Sequence, residues 1–442
     1  MARGRAGTLV TMIPSAKRLI GSLRDIGYDF VAAVADLVDN SIAAGAGRVA
    51  IDLTFAGLSS SVRITDDGCG MNSSAVTEAM RYGADRVYDE YDLGKFGLGL
   101  KTASMSQCRK LTVATRATKE QRRIEVRCLD LDHIEETDRW EVSDLKSSDC
   151  GEHLVSPLED ATGTVVLWEG LDRVFNYKIP DGERARNGMR GLAERLDQHL
   201  GMVFHRFLSG EARRRRKLKI TVNGTVVEPW DPFALDEKET KTLKARELEL
   251  ETSVGSGIVG FRPYVLPPQE AFSSRAAFDR TAGPDRWNRQ QGFYIYREDR
   301  MIRSGGWCNM RTADEHTKTA RAALEFGRKL DSAFAINVAK MRVNLPPELR
   351  EQLEQPVAEL IRVAQAVYRK GGGDEPPKGG KRTHLGGSGG SSGSGGLSGP
   401  SSHRFRHALQ AAAAAVSEKA ALEKIGRQLR KDSPEVAHEL GY

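Results

Sequence analysis

The strings Asp36-Leu37-Val38-Asp39-Asn40, Asp66-Asp67-Gly68-Cys69-Gly70-Met71 and Gly94-Lys95-Phe96-Gly97-Leu98-Gly99-Leu100-Lys101 decide the reading of this chain. The first lies in an apolar pattern (Ile26, Phe30, Ala33, Val34, Leu37, Val38, Ile42) whose spacing predicts a helix from about Leu23 to Ala44, stopped by Gly45-Ala46-Gly47. On that helix Asp36 and Asn40 stand one turn apart and share a face. A solvated surface pair is the ordinary reading of such residues. Here the helix is apolar on most sides, and an Asp-Asp-Asn cluster half-buried without a task would be expensive. The second string follows the alternating Val62 and Ile64, so Asp66 ends a strand, where a carboxylate can accept from an amino group. Gly68 and Gly70 then let the backbone turn and allow a flat group to approach closely. In the third string Gly94, Gly97 and Gly99 free a loop to aim its amides at an anion, and the helix expected over about 97–107 offers its N-terminus to the same charge. Taken singly, the second string reads as an Asp-Gly turn and the third as an ordinary glycine-rich loop.

In this order and spacing the three strings resemble the nucleotide site of the GHKL ATPases, the superfamily of gyrase B, HSP90-like chaperones, histidine kinases, MutL and the MORC proteins. The resemblance extends over about residues 14–370. It implies a Mg2+-dependent ATPase with ATP and Mg2+ as cofactors. Asp66 would contact adenine, with Gly68, Gly70 and Met71 beside the base. Gly94, Lys95, Phe96, Gly97, Leu98 and Gly99 would wrap the triphosphate, and Lys101 would add a phosphate contact. Thr164, opening the strand-like GTVVLW, matches a family threonine near adenine, though a plain strand threonine would look the same. Asn40 would join phosphate oxygens and waters around Mg2+, a hard cation that prefers oxygen ligands, and Asp36 would orient and deprotonate the attacking water. Two departures bear on rate: most members carry glutamate where this chain has Asp36, and a carboxylate often found three residues after the asparagine is Ala43 here. Binding is therefore expected to be firmer than turnover.

The implied fold is α+β: a Bergerat-type ATP-binding sandwich over 1–235, a transducer-like β-α-β unit over 250–371, a Gly/Ser-rich flexible linker over 372–402 and a C-terminal helix over 403–442. Strands are expected near 110–117, 121–129 and 163–169, helices over about 73–82 and 185–208, and a mobile lid over 83–96. Asn223-Gly224 marks a hairpin. In the second unit SGIVGFRPYVL, GFYIYREDRMI, AALEF and AINVAKMRVNL read as strands around a polar, helical stretch over 267–291, and PPELREQLEQPVAELIRVAQAVYRK as an amphipathic helix. A second-unit lysine would reach the γ-phosphate; Lys340 is the first choice and Lys318 the alternative, each equally readable as a solvated lysine.

The strings FYIYREDRMIRSGGW and AKMRVNLPPEL look most like bacterial MORC-like proteins, some relatives of which are thought to act in phage defence. That likeness implies an ATP-dependent homodimer closing as a clamp, with DNA as client. The alternative is an ATP-sensing module without significant turnover that signals to a protein partner through residues 403–442. A folding chaperone and a histidine kinase fit the order of units less well. The charge of +6 permits nucleic-acid contact without requiring it. Arg213-Arg214-Arg215-Arg216-Lys217 reads either as a solvated face or as a phosphate grip. Five scattered cysteines, none in a CxxC pair, point to reduced thiols. No apolar run is long enough to cross a bilayer and the N-terminus lacks a signal-peptide pattern, so a cytoplasmic location without membrane contact is expected.

Overall fold

A computed structural model of the chain describes residues 14–25, 28–82, 99–121, 123–336 and 343–370, together with Gln428 and Lys431. The chain forms two compact units, Met1–Glu375 and Pro376–Tyr442. In the second unit only the helical Gln428 and Lys431 are described, so the linker and the remainder of the C-terminal helix expected there lie outside the described residues. The lid over 83–96 also lies outside them. The first unit is α+β.

Its first part runs α1 (Ala16–Arg24), α2 (Phe30–Ala43), β1 (Arg48–Thr54), β2 (Ser61–Asp66), α3 (Ser73–Met80), α4 (Gly99–Met105), β3 (Lys110–Arg116), β4 (Glu125–Asp130), α5 (Leu131–Thr137), β5 (Ser143–Leu145), α6 (Glu152–Val155), β6 (Gly163–Glu169), α7 (Glu183–Val203), α8 (His205–Ser209), β7 (Lys219–Val222) and β8 (Thr225–Val226). The strands make one sheet in the order β5-β4-β3-β6-β2-β1-β7-β8. Period-two alternation sets its faces. On β6, Val166 and Trp168 share a core with Leu37 and Val38 of α2, Ala103 of α4 and Leu196 of α7. Val165 and Leu167 point the opposite way, against Leu154 and Leu158. The long helices therefore cover one face, and α2, which carries Asp36, packs on that face.

The expected helix from Leu23 to Ala44 is two helices, since α1 ends at Arg24 and α2 starts after its N-cap Asp29. Apolar spacing continues across the break, which is why periodicity alone does not mark it. The break lets Tyr28 stand outside both helices and lets Arg24 turn inward, donating to the Met105 carbonyl at 2.7 Å. The hairpin at Asn223-Gly224 is present, with both residues at positive φ.

The second part runs β9 (Lys241–Thr242), β10 (Arg246–Thr252), β11 (Gly255–Val265), α9 (Arg275–Thr281), α10 (Arg286–Gln290), β12 (Gly292–Arg297), β13 (Arg300–Arg303), β14 (Ala320–Phe326) and α11 (Pro347–Lys370). Its sheet has the order β10-β11-β14-β12-β13, with β9 pairing β11. Phe293 and Ile295 of β12 pack toward Leu349, Leu353 and Leu360 of α11. Tyr294 and Tyr296 pack toward Phe233, Phe272 and Phe278 on the other face. The strand expected through AINVAKMRVNL is not found in its described residues, 335–336 and 343–345. Ala335 has φ +47, which an extended strand cannot continue through, and the Asn344 amide ties back to the Phe334 carbonyl at 3.0 Å.

The two sheets meet at α8. His205 Nε2 lies 2.9 Å from the Tyr296 hydroxyl, and the Arg206 guanidinium binds Asp299 at 3.0 Å and Glu325 at 2.6 Å. Burial, then the charge of Arg206, lowers the His205 pKa to about 3, so its ring is neutral at this contact. The Arg213 amide donates to Asp299 Oδ2 at 2.8 Å, so the basic run over 213–217 begins with a residue tied into the junction.

Candidate nucleotide site

The site is built where α2 crosses one end of β2, β6 and β3. In the sheet Asp66 stands opposite Thr164, and Thr164 opposite Thr115. The side-chain alternation that sends Ile64, Val166 and Val113 to the helix-covered face sends Asp66, Thr164 and Thr115 there too. The Thr115 and Thr164 hydroxyls are 3.2 Å apart, and Thr115 Oγ1 also accepts from the Met71 amide at 2.9 Å. The Met71 backbone is thereby tied to β3 at the same end of the sheet.

Asp66 accepts from Ser41 Oγ of α2 at 2.9 Å with one oxygen and from the Gly68 amide at 2.9 Å with the other. Burial raises its pKa, against the lowering effect of those hydrogen bonds. The next residue, Asp67, accepts from the Gly47 and Arg48 amides at 2.7 and 2.8 Å, and the Cys69 amide donates to the Ala44 carbonyl at 2.9 Å. The Asp-Gly string is thus stapled to the C-terminus of α2. Gly70 has φ +61, and a Cβ there would strike the Arg116 carbonyl, so the close approach permits glycine alone.

On α2, Asp36 is 3% exposed and Asp39 1%, whereas Asn40 is exposed. Tyr28 donates its hydroxyl to Asp36 Oδ2 at 2.8 Å. Burial first, then Asp36, raises the Tyr28 pKa, which keeps the phenol protonated and donating. Gln107 holds Tyr28 in turn, its Nε2 donating to the Tyr28 carbonyl at 2.9 Å. Gly99, the first residue of α4, faces Asp36: a Cβ on it would stand 3.8 Å from Asp36 Oδ2. The end of the glycine-rich string therefore lies against the carboxylate expected to act on water. From the second sheet Arg300 enters the same place, with Nε 2.8 Å from Asp39 and Nη2 3.9 Å from Asp36.

Lys101 is placed differently from its expected phosphate contact. It is 1% exposed, and its Nζ donates to the Ala79 and Arg81 carbonyls at 3.0 and 2.6 Å, closing the C-terminus of α3 onto α4. Burial lowers its pKa to about 8. Lys318, the alternative γ-phosphate lysine, pairs with Glu315 at 2.5 Å on the second sheet's side. Gly94, Lys95, Phe96, Gly97, Leu98 and Lys340 lie outside the described residues. Tyr28, Ser41, Thr115 and Arg300 were not legible as site residues. Thr115 has a signal in retrospect, since it falls in phase with the apolar residues of its strand and sits at the same end as Thr164.

A family model described as histidine kinase-, DNA gyrase B- and HSP90-like ATPase matches residues 28–164. That span begins at Tyr28 and ends at Thr164, and so encloses the α2 face, the Asp-Gly string, the glycine-rich string and the β6 threonine. Residues 28–164 are thus similar to a GHKL-type ATPase domain. Members of this family are ATPases. The chain is also similar to the DNA mismatch repair protein MutL of Pelotomaculum thermopropionicum, 37% identical over 91 residues. That match spans 20% of this chain and about 15% of the MutL protein's length. No described helix is long and apolar enough to cross a membrane.

Proposed function

We propose that this chain binds ATP with Mg2+ in the pocket between α2, the Asp66 loop and Gly99, hydrolyses it slowly, and works as an ATP-dependent dimerising clamp. The observation that carries the reading is Asp36: a buried carboxylate, held by a phenol and facing Gly99, near the end of the glycine-rich string. One turn along, Asn40 is exposed and offers an amide oxygen of the kind Mg2+ takes. Bound there, Mg2+ would neutralise phosphate charge. Asp66, with Met71 and Thr164, would take the adenine. Asp36 would hold a water and accept its proton, and its short side chain favours slow turnover. DNA is the proposed client, supported by the likeness to a mismatch-repair protein and by the exposed arginines of the 213–217 run.

Solution mass measured by light scattering, with and without Mg2+ and a non-hydrolysable ATP analogue, tests the clamp. A mass that doubles only with both ligands is the expected result. A mass that stays at one chain would overturn the clamp and favour a nucleotide sensor acting without association.

A further inference from the structure

We propose that Arg300 is the positioning residue through which the second sheet sets Asp36 for catalysis. The inference rests on the reading of Asp36 as the group that activates water. Arg300 opens β13, the edge strand of the second sheet, yet its guanidinium is buried against α2 of the other sheet and is 3% exposed. Its three nitrogens are allotted separately. Nε lies 2.9 and 2.8 Å from the two Asp39 oxygens, Nη1 donates to the Met301 carbonyl at 3.3 Å, and Nη2 is 3.9 Å from Asp36 Oδ1. Asp36 and Asp39 are three residues apart on one helical face, so a planar fork can address both at once. The Phe204 ring, whose centroid lies 5.7 Å from the guanidinium carbon, backs the group.

The strand that delivers Arg300 is itself held. Glu298 and Asp299 make the preceding turn at φ +48 and +66, and Asp299 accepts from Arg206 and from the Arg213 amide. The chain from α8 through Asp299 to Arg300 is therefore a continuous polar connection between the sheet junction and the catalytic carboxylate. A shift of β13 would move the guanidinium, and with it the charge that opposes Asp39 and steadies Asp36. Tyr28, which also holds Asp36, belongs to the first sheet's part and would not report on the second sheet. Arg300 thus gives the second sheet control of turnover without a contact to nucleotide.

The test uses the full chain with Arg300→Lys, Arg300→Met and, as a control, Asp36→Asn. Phosphate release gives kcat, titration with a non-hydrolysable ATP analogue gives affinity, and thermal melting reports folding. Arg300→Lys keeps a cation for the buried Asp39 and should fold, but a single ammonium cannot span both carboxylates. Its kcat should fall about 3- to 10-fold, and that of Arg300→Met roughly 10- to 100-fold, with analogue affinity within about threefold of the parent in both. Wild-type kcat in a folded Arg300 variant, or a loss of affinity as large as the loss of rate, would overturn the proposal. Asp36→Asn separates the two levels. If it is inactive while Arg300 variants turn over normally, Arg300 has no positioning role and the Asp36 reading stands. If Asp36→Asn retains full turnover, the reading of Asp36 falls and the Arg300 proposal falls with it.

Discussion

Asp36→Asn should lower ATP turnover by about 100-fold or more while leaving ATP affinity within roughly threefold, because general-base catalysis of this kind contributes on the order of 10²–10⁴ in rate. The substitution is nearly isosteric. The Asn carbonyl oxygen can still accept from the Tyr28 hydroxyl, so the side chain stays where it is. It loses the capacity to take a proton from water. Because Asp36 lies beneath Gly99 and away from Asp66, the proposed base contacts are not touched. Steady-state phosphate release alongside calorimetric titration with an ATP analogue gives both numbers. Unchanged trace turnover in the variant would mean that any hydrolysis observed does not use Asp36, and the sensor reading would then be preferred.

The second large effect is on binding. Asp66→Asn should weaken ATP affinity roughly 10- to 100-fold, the range expected when a hydrogen bond to a charged acceptor worth about 1.5–3 kcal/mol is lost. The fold should tolerate the change. Asn can keep its oxygen on the Gly68 amide and turn its NH2 to the Ser41 hydroxyl, replacing the contacts Asp66 makes with those two groups. Burial raises the Asp66 pKa, so ionising this group opposes folding. The sign follows: a raised folded pKa gives a contribution to stability that is present at low pH and lost as pH rises through it. Thermal stability at neutral pH should therefore be equal or higher in the variant while affinity falls. For the parent, ATP affinity should weaken on acidification at a higher pH than an ordinary carboxylate near 4 would dictate, and Asp66→Asn should lack that step. Equal affinity in parent and variant would remove Asp66 from adenine recognition.

The parts of the fold legible in the sequence are those where one rule acts alone. Alternation placed β2, and the Asn-Gly turn placed the β7–β8 hairpin. The break between α1 and α2 was not legible because apolar spacing runs through it, and only tertiary contacts such as Arg24 with Met105 require it. Asp36, Asn40, Asp66 and Gly70 could be singled out as candidates because helix spacing, strand ends and glycine freedom are local properties. Tyr28 and Arg300 could not. Each reaches Asp36 from an element whose direction is set by distant packing: Tyr28 through Gln107, and Arg300 through a strand of another sheet. Lys101 has contacts that its place in the sequence does not announce. Its position after the glycine-rich string suggests a phosphate, but the open carbonyls at the end of α3 lie within its reach and take the ammonium.

The most direct test of the nucleotide site is calorimetric titration of the full chain with ATP in the presence and absence of Mg2+. One ATP bound per chain, tighter with Mg2+ and weakened by Asp66→Asn, is the predicted result. Absence of saturable binding, or binding indifferent to both Mg2+ and Asp66→Asn, would contradict the placement of the nucleotide between α2 and the Asp66 loop.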